Sequence, residues 1–284
     1  MWISLSLLLS THCNYTPAEY HKESASIMEV FLSCSFETMN SKDIDNFQLR
    51  NSEGSRLLWR CVQRKGNFTA VDVVDCFINA RRTCASRPVK LVKTIRFRGS
   101  AAAEMMLRHE DLRIIYLVRD PRGTILSQQR VFQEFKFTQI VNFTTYFCQT
   151  FREDLANLEP LFDKYPDRIK LLRYETLAEN PMKVSEELYK FLRLTFTADV
   201  EEFVYNSTSA GKSSKGDYDT FKANSTEAAY AWRNGAVFKE VQVIDKICGD
   251  IYLKLGYLPV KSIHELEDRH RPLKRDIIFH RNSI

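Results

Sequence analysis

Residues 113–127, Arg-Ile-Ile-Tyr-Leu-Val-Arg-Asp-Pro-Arg-Gly-Thr-Ile-Leu-Ser, join an unbroken apolar run to a segment with helical spacing. Ile114 to Val118 show no polar alternation, which fits a parallel strand covered on both faces. Polarity changes abruptly at Arg119, the carboxyl end of that strand. Asp120 is placed to cap a helix, and Pro121 suits its first position because an N–H there has no intrahelical partner. Gly123, Ser127 and Arg130 then recur at i, i+4 and i+7, on one helix face. A strand that ends where a helix begins makes an anion site at the carboxyl edge of an open α/β sheet. Arg119 offers phosphate a bidentate fork, and the Ser127 hydroxyl can complete the cage.

This reading predicts a three-layer α/β fold with a mostly parallel sheet and helices on both faces. Lys90–Phe97, Arg113–Val118 and Arg168–Tyr174 are its expected core strands. At 284 residues one large core is feasible, and no repeat or low-complexity linker divides the chain. The expected organisation is a short apolar, unstructured N-terminus over 1–24, an incomplete catalytic domain over 25–260, and a charged, poorly ordered tail over 261–284.

The stretch Arg119-Asp-Pro-Arg122, with Ser127 eight residues after the first Arg, resembles the 3′-phosphate segment of sulfotransferases that use 3′-phosphoadenosine-5′-phosphosulfate. Its Arg-Asp-Pro-Arg form is most similar to the Golgi carbohydrate sulfotransferases acting on galactose, N-acetylglucosamine or N-acetylgalactosamine. Three further segments share the likeness. Lys90-Leu-Val-Lys-Thr-Ile-Arg96 resembles the preceding strand, Arg173-Tyr-Glu-Thr the adenine-side segment, and Trp232-Arg233, a helix with Cys248, then Leu255-Gly-Tyr257 the end of the domain. The likeness covers roughly residues 25–258. It implies a P-loop-NTPase-like fold and transfer of a sulfuryl group from the nucleotide donor to a sugar hydroxyl of a glycan or glycoprotein. Arg119 and Ser127 would hold the 3′-phosphate, Tyr174 would pack on adenine, and Arg173 would lie near the nucleotide. The catalytic base is unassigned, and no metal is implied. The alternative is an inactive relative that binds a glycan or a partner. A P-loop kinase would need GxxxxGK[ST], which this chain lacks.

The family's opening strand and Gly/Ser-rich 5′-phosphosulfate loop find no counterpart before residue 90 in this reading. The expectation is therefore a fold lacking its first strand and phosphate loop, with little activity unless a longer N-terminus supplies them. Arg98-Gly99-Ser100 follows a strand but has a single Gly and aligns with the later strand. Trp2 to Leu9 is too short to span a bilayer and has no basic residue before it. Membrane anchoring would likewise need a longer N-terminus. Ser26 and Glu29 have capping-box spacing, ahead of Val30, Phe31 and Cys34 on one helix face.

Five N-glycosylation sequons begin at Asn14, Asn67, Asn142, Asn206 and Asn224, against roughly one or two by chance. They favour the secretory pathway and the Golgi lumen. Of the seven cysteines several can pair there, leaving one free or in want of a partner from a longer N-terminus. Cys248 falls on the apolar stripe Val237, Val241, Ile244, Ile251, Leu255, so it reads as buried or disulfide-bonded rather than nucleophilic. No CxxC pair or His spacing suggests zinc. The net charge of +5 suits a polyanionic donor and acidic glycans, whereas no basic-aromatic module points to nucleic acid.

Overall fold

A computed structural model describes residues 2–5, 17–39, 55–63, 70–95, 97–132, 137–211 and 221–277. They form two compact units, residues 1–110 and 111–284.

In the first unit, β1 (Trp2–Leu5) pairs in parallel with β2 (Leu91–Thr94), in register from Trp2 opposite Leu91 to Leu5 opposite Thr94. This corrects the expectation that no strand precedes residue 90 and that 1–24 lacks structure. The partner of β1 is far away in the chain, so local pattern could not reveal the pairing. Helix α1 (Pro17–Ser33) follows, giving a strand–segment–helix order. The connecting residues 6–16 include Ser6, Ser10 and Thr11 but no glycine, and lie outside the described residues. Ser26, expected as an N-cap, stands mid-helix because α1 starts nine residues earlier. The apolar face Ile27, Val30, Phe31, Cys34 is buried as its spacing predicts. It packs with Leu58 of α2 (Arg56–Gln63) and Cys76 and Cys84 of α3 (Ala70–Ala85). Disulfides Cys34–Cys84 and Cys61–Cys76 cross-link this core. Helix α4 (Gly99–Arg108) completes the unit. His109, just after it, bonds Glu29 of α1 at 3.0 Å.

In the second unit, β3 (Ile114–Val118) pairs in parallel with β4 (Ile169–Arg173), from Ile114 opposite Ile169 to Val118 opposite Arg173. Two helices connect them, α5 (Pro121–Phe132) and the long α6 (Phe137–Lys164). Helix α6 begins before Asn142 and buries Phe151, Leu155 and Leu158. All three expected strands form, somewhat shortened, within two parallel pairs, but β3 is not covered on both faces as its apolar run suggests: Leu117 is 54% exposed.

After β4 come α7 (Tyr174–Glu179), α8 (Pro181–Leu192), α9 (Ala198–Thr208) and α10 (Ser225–Tyr230). Thr197 caps α9 by accepting from the Val200 N–H, and Asn224 caps α10 by accepting from the Glu227 N–H. A 3₁₀ turn at Ala231–Arg233 leads to α11 (Phe238–Ile247) and α12 (Gly249–Leu255). The expected single long helix is thus two, broken at Cys248 (φ −101°, ψ 10°), whose sulfur bonds Cys148 of α6. Val237 precedes α11 and is exposed, while Val241, Ile244, Ile251 and Leu255 are fully buried.

The expected loose tail is instead packed as far as residue 277. Helix α13 (Ile263–Glu267) is capped by Ser262, and Leu266 and Leu273 are buried. Tyr257 bridges Lys274 in antiparallel fashion. The turn before it needs Gly256, which closes α12 at φ +75° and lies so near the returning chain that a Cβ would stand 2.7 Å from the Arg275 carbonyl oxygen. Two buried arginines bind this segment through carbonyl groups. Arg233 donates to Glu265, Leu266 and Asp268, and Arg173 donates to Leu255 and Arg275. Among the described residues no helix is long and apolar enough to cross a membrane.

Candidate functional site

The register of β3 and β4 dictates what meets at their carboxyl ends. Since Val118 lies opposite Arg173, the next residues on each strand, Arg119 and Tyr174, leave the ladder side by side. The Arg119 guanidinium lies 4.9 Å from the centroid of the Tyr174 ring. That contact covers one ring face, so a nucleobase would use the other face or the edge. Arg119 Nε is buried without a hydrogen-bond partner, which leaves a donor for an anion to satisfy.

The helix start forms as expected, with one addition. Asp120 Oδ1 accepts the Arg122 N–H at 2.9 Å, so Asp120 is the N-cap and Pro121 the first helical residue. Asp120 also takes the Arg122 side chain, with Nη2 donating to Oδ2 at 2.8 Å and Nε to Oδ1 at 2.9 Å. Arg122 is completely buried. Its Nη1 donates to the Leu258 carbonyl at 2.8 Å and lies 3.4 Å from Asp245. Its guanidinium also lies 4.9 Å from the Tyr252 ring centroid and 5.2 Å from that of Trp232. Burial opposes the charge, but Asp120 foremost among its neighbours outweighs that and holds the group protonated, above its ordinary pKa. The second Arg of Arg-Asp-Pro-Arg is therefore a buried structural cation.

Glu175 ties the two strand ends together. Its Oε1 accepts the Asp120 N–H at 3.0 Å and its Oε2 accepts the Tyr257 hydroxyl at 2.9 Å. Burial, helped by the Asp120 carboxylate, pushes the Glu175 carboxyl above the usual carboxylate range. Arg173, expected near the nucleotide, has one end of its guanidinium tied to the C-terminal segment, while its Nε, like that of Arg119, is buried without a hydrogen-bond partner. It is 5% exposed, with Nη1 donating to the Arg275 carbonyl at 2.6 Å and the Leu255 carbonyl at 3.1 Å. Its place at the end of a buried strand favours inward packing, and the carbonyls that receive it belong to residues distant in sequence. Arg119, Tyr174 and the α5 face bearing Gly123 and Ser127 are the nucleotide candidates at the strand ends, with Arg173 behind them.

Arg130 lines a small cavity of about 150 Å³ with Trp232, Gln129 and Glu240. A larger one, about 670 Å³, lies in the first unit among Lys22, Ser26, Glu29, Ser100, Glu104 and Arg108. Its size alone does not make it the reactive site. Arg108 pairs there with Glu29 and Glu104, and the strand-end geometry that suits a phosphate lies in the other unit.

Comparison with known proteins fits this geometry. The model of the sulfotransferase domain matches residues 27–256, from within α1 through α12 and including the Arg119 junction. The chain belongs to the sulfotransferase family. Among curated relatives, carbohydrate sulfotransferase 3 of Tetronarce californica is 28% identical over 212 residues, 68% of this chain and 47% of that protein. Carbohydrate sulfotransferase 5 of Mus musculus is 28% identical over 211 residues, covering 67% and 53%. Carbohydrate sulfotransferase 6 of Homo sapiens is 26% identical over 225 residues, covering 72% and 56%. The chain spans about half the length of these curated relatives. The sulfotransferase fold accounts for the parallel pairing and for helices following the carboxyl ends of β3 and β4.

Proposed function

We propose that this sulfotransferase-family chain binds 3′-phosphoadenosine-5′-phosphosulfate at the β3–α5 junction and serves transfer of its sulfuryl group to a sugar hydroxyl of a glycan or glycoprotein. The observation that carries this is the pairing of Arg119 and Tyr174 at adjoining strand ends, with a guanidinium donor left unmatched beside a helix start. Arg119 and Ser127 hold the 3′-phosphate, and Tyr174 packs on the adenine side. They fix the donor's register, which is how binding far from the reacting atoms lowers the barrier. In the transfer, the acceptor oxygen attacks sulfur in line, the bond from sulfur to the phosphate bridging oxygen breaks, and the hydroxyl proton goes to a base. Fixed cations and N–H donors stabilise charge on the equatorial and leaving oxygens. Three disulfides among the described cysteines support a place in the oxidising secretory pathway, with the Golgi lumen the proposed compartment. Asn224 supports it too: it is exposed, and its Oδ1 caps α10, which leaves Nδ2 available for a glycan.

The test is calorimetric titration with 3′,5′-bisphosphoadenosine, the desulfated product. Arg119→Ala weakens binding by about 2 kcal/mol or more, roughly thirtyfold, because a charge-assisted phosphate contact is lost. Transfer of labelled sulfate to galactose- or N-acetylhexosamine-terminated glycans falls with it. Equal affinity of variant and parent would remove Arg119 from the site, and with it the reading.

A further inference from the structure

The first turn of α5 carries donors that intrahelical bonding cannot use, and almost all of them have other partners. The Asp120 N–H goes to Glu175, Pro121 has none, and the Arg122 N–H goes to the Asp120 side chain, while the Thr124 N–H makes the first helical bond, to the Asp120 carbonyl. Among the described hydrogen bonds, the N–H left over is that of Gly123. Two side-chain donors crowd the same residue. A Cβ on Gly123 would stand 2.9 Å from Trp232 Cδ1 and 3.3 Å from both Trp232 Nε1 and Arg119 Nε. The absence of that carbon lets the indole edge reach the helix backbone. Trp232 is 4% exposed, and its Nε1, like Arg119 Nε, is buried with no hydrogen-bond partner.

An indole N–H and a guanidinium N–H both donate only, so neither can satisfy the other. What they share with the Gly123 N–H and the positive end of the α5 dipole is a need for an oxyanion. The indole is held in place from both sides of the chain. Arg122 lies against its ring, and the next residue, Arg233, is locked into α13 through the Leu266 carbonyl at 2.9 Å and the Glu265 carbonyl at 2.8 Å. We propose that Trp232 is a ligand of the phosphate bound at this helix start, donating its Nε1–H beside Arg119, with Gly123 kept small so that the indole can reach. This rests on the reading of the junction as the 3′-phosphate site and adds to it a residue from the far end of the domain.

Titration of Trp232→Phe, which keeps an aromatic ring and removes the donor, tests the assignment. Affinity for 3′,5′-bisphosphoadenosine falls about tenfold, while affinity for adenosine 5′-phosphosulfate, which lacks the 3′-phosphate, is unchanged. Gly123→Ala gives the same selective loss by displacing the indole. In the parent protein, the indole N–H resonance of Trp232 shifts when 3′,5′-bisphosphoadenosine is added and stays put with adenosine 5′-phosphosulfate. That measurement decides the matter even if a variant fails to fold. If Arg119→Ala weakens binding but Trp232→Phe does not, Trp232 is not a ligand and the junction reading stands. An equal loss for both nucleotides makes Trp232 a packing residue and overturns the proposal. If Arg119→Ala is also silent, the junction itself is misassigned.

Discussion

Asp120→Ala lowers the stability of the second unit by about 3–5 kcal/mol, read from the urea midpoint at unchanged slope. The estimate follows from what the variant leaves behind. Arg122 is fully buried, and its charge is matched mainly by two close contacts to the Asp120 carboxylate. Removing that carboxylate strands a guanidinium between the Tyr252 and Trp232 rings, with Asp245 at 3.4 Å and one carbonyl as its remaining partners. The N-cap contact to the Arg122 N–H is lost as well, which alone is worth about 1 kcal/mol. The mechanism has its own control. Replacing both members, Asp120→Ala with Arg122→Met, removes the unpaired charge and restores part of the loss. A double variant no more stable than Asp120→Ala would show that the cap and the packing, not the stranded cation, carry the effect. Asp120→Asn, which can still cap but cannot neutralise, is expected between the two.

The same pair shows what the sequence can disclose. The strand at β3 (though not its burial on both faces), the cap at Asp120, Pro121 at the first helical position and the burial of Cys248 were legible, because each depends on residues within a turn or a strand of itself. The family and the fold followed from those motifs. The division of labour among the arginines was not legible. Arg119, Arg122, Arg173 and Arg233 carry the same charge and stand beside comparable motifs. The contacts of Arg122, Arg173 and Arg233 are made by Leu258, Asp245, Arg275 and Glu265, none of which is local to the arginine it meets. The motif around Arg173 suggests a place near the nucleotide and gives no sign that the same side chain also holds the C-terminal segment. The same distance hid β1, whose strand character depends on β2, and hid the order in residues 263–277, whose charged composition suggests solvent until Arg233 is seen gripping their carbonyls. Trp232 was visible only as a family marker. Its unmatched indole N–H against Gly123 is a matter of three-dimensional approach that no spacing rule contains.

Loss of the Cys148–Cys248 bridge, through Cys148→Ala with Cys248→Ala, destabilises the second unit by about 3–4 kcal/mol. The bridge closes a loop with a sequence separation of 100, and the chain-entropy model assigns a loop of that length close to the top of the usual range. Both half-cystines are fully buried, so the alanine variants also leave a small cavity where α6 meets the break between α11 and α12. Other links span the same elements. Arg152 Nη2 donates to Asp250 Oδ1 at 2.8 Å, and Lys254 donates to Glu159 at 2.9 Å. Those groups are partly exposed, so each pair contributes at most a fraction of what the bridge does. A measured loss below about 1 kcal/mol would mean that these ion pairs and the apolar stripe of α11 already define the packing, outside the range typical of native bridges. The consequence reaches the site through α11 and α12. Asp245 and Tyr252 flank the Arg122 guanidinium, and Arg122 in turn lies against Trp232. Reduction of the bridge is thus expected to weaken 3′,5′-bisphosphoadenosine binding along with stability. Reduction that lowered the urea midpoint yet left nucleotide affinity intact would show that the junction keeps its shape without those walls.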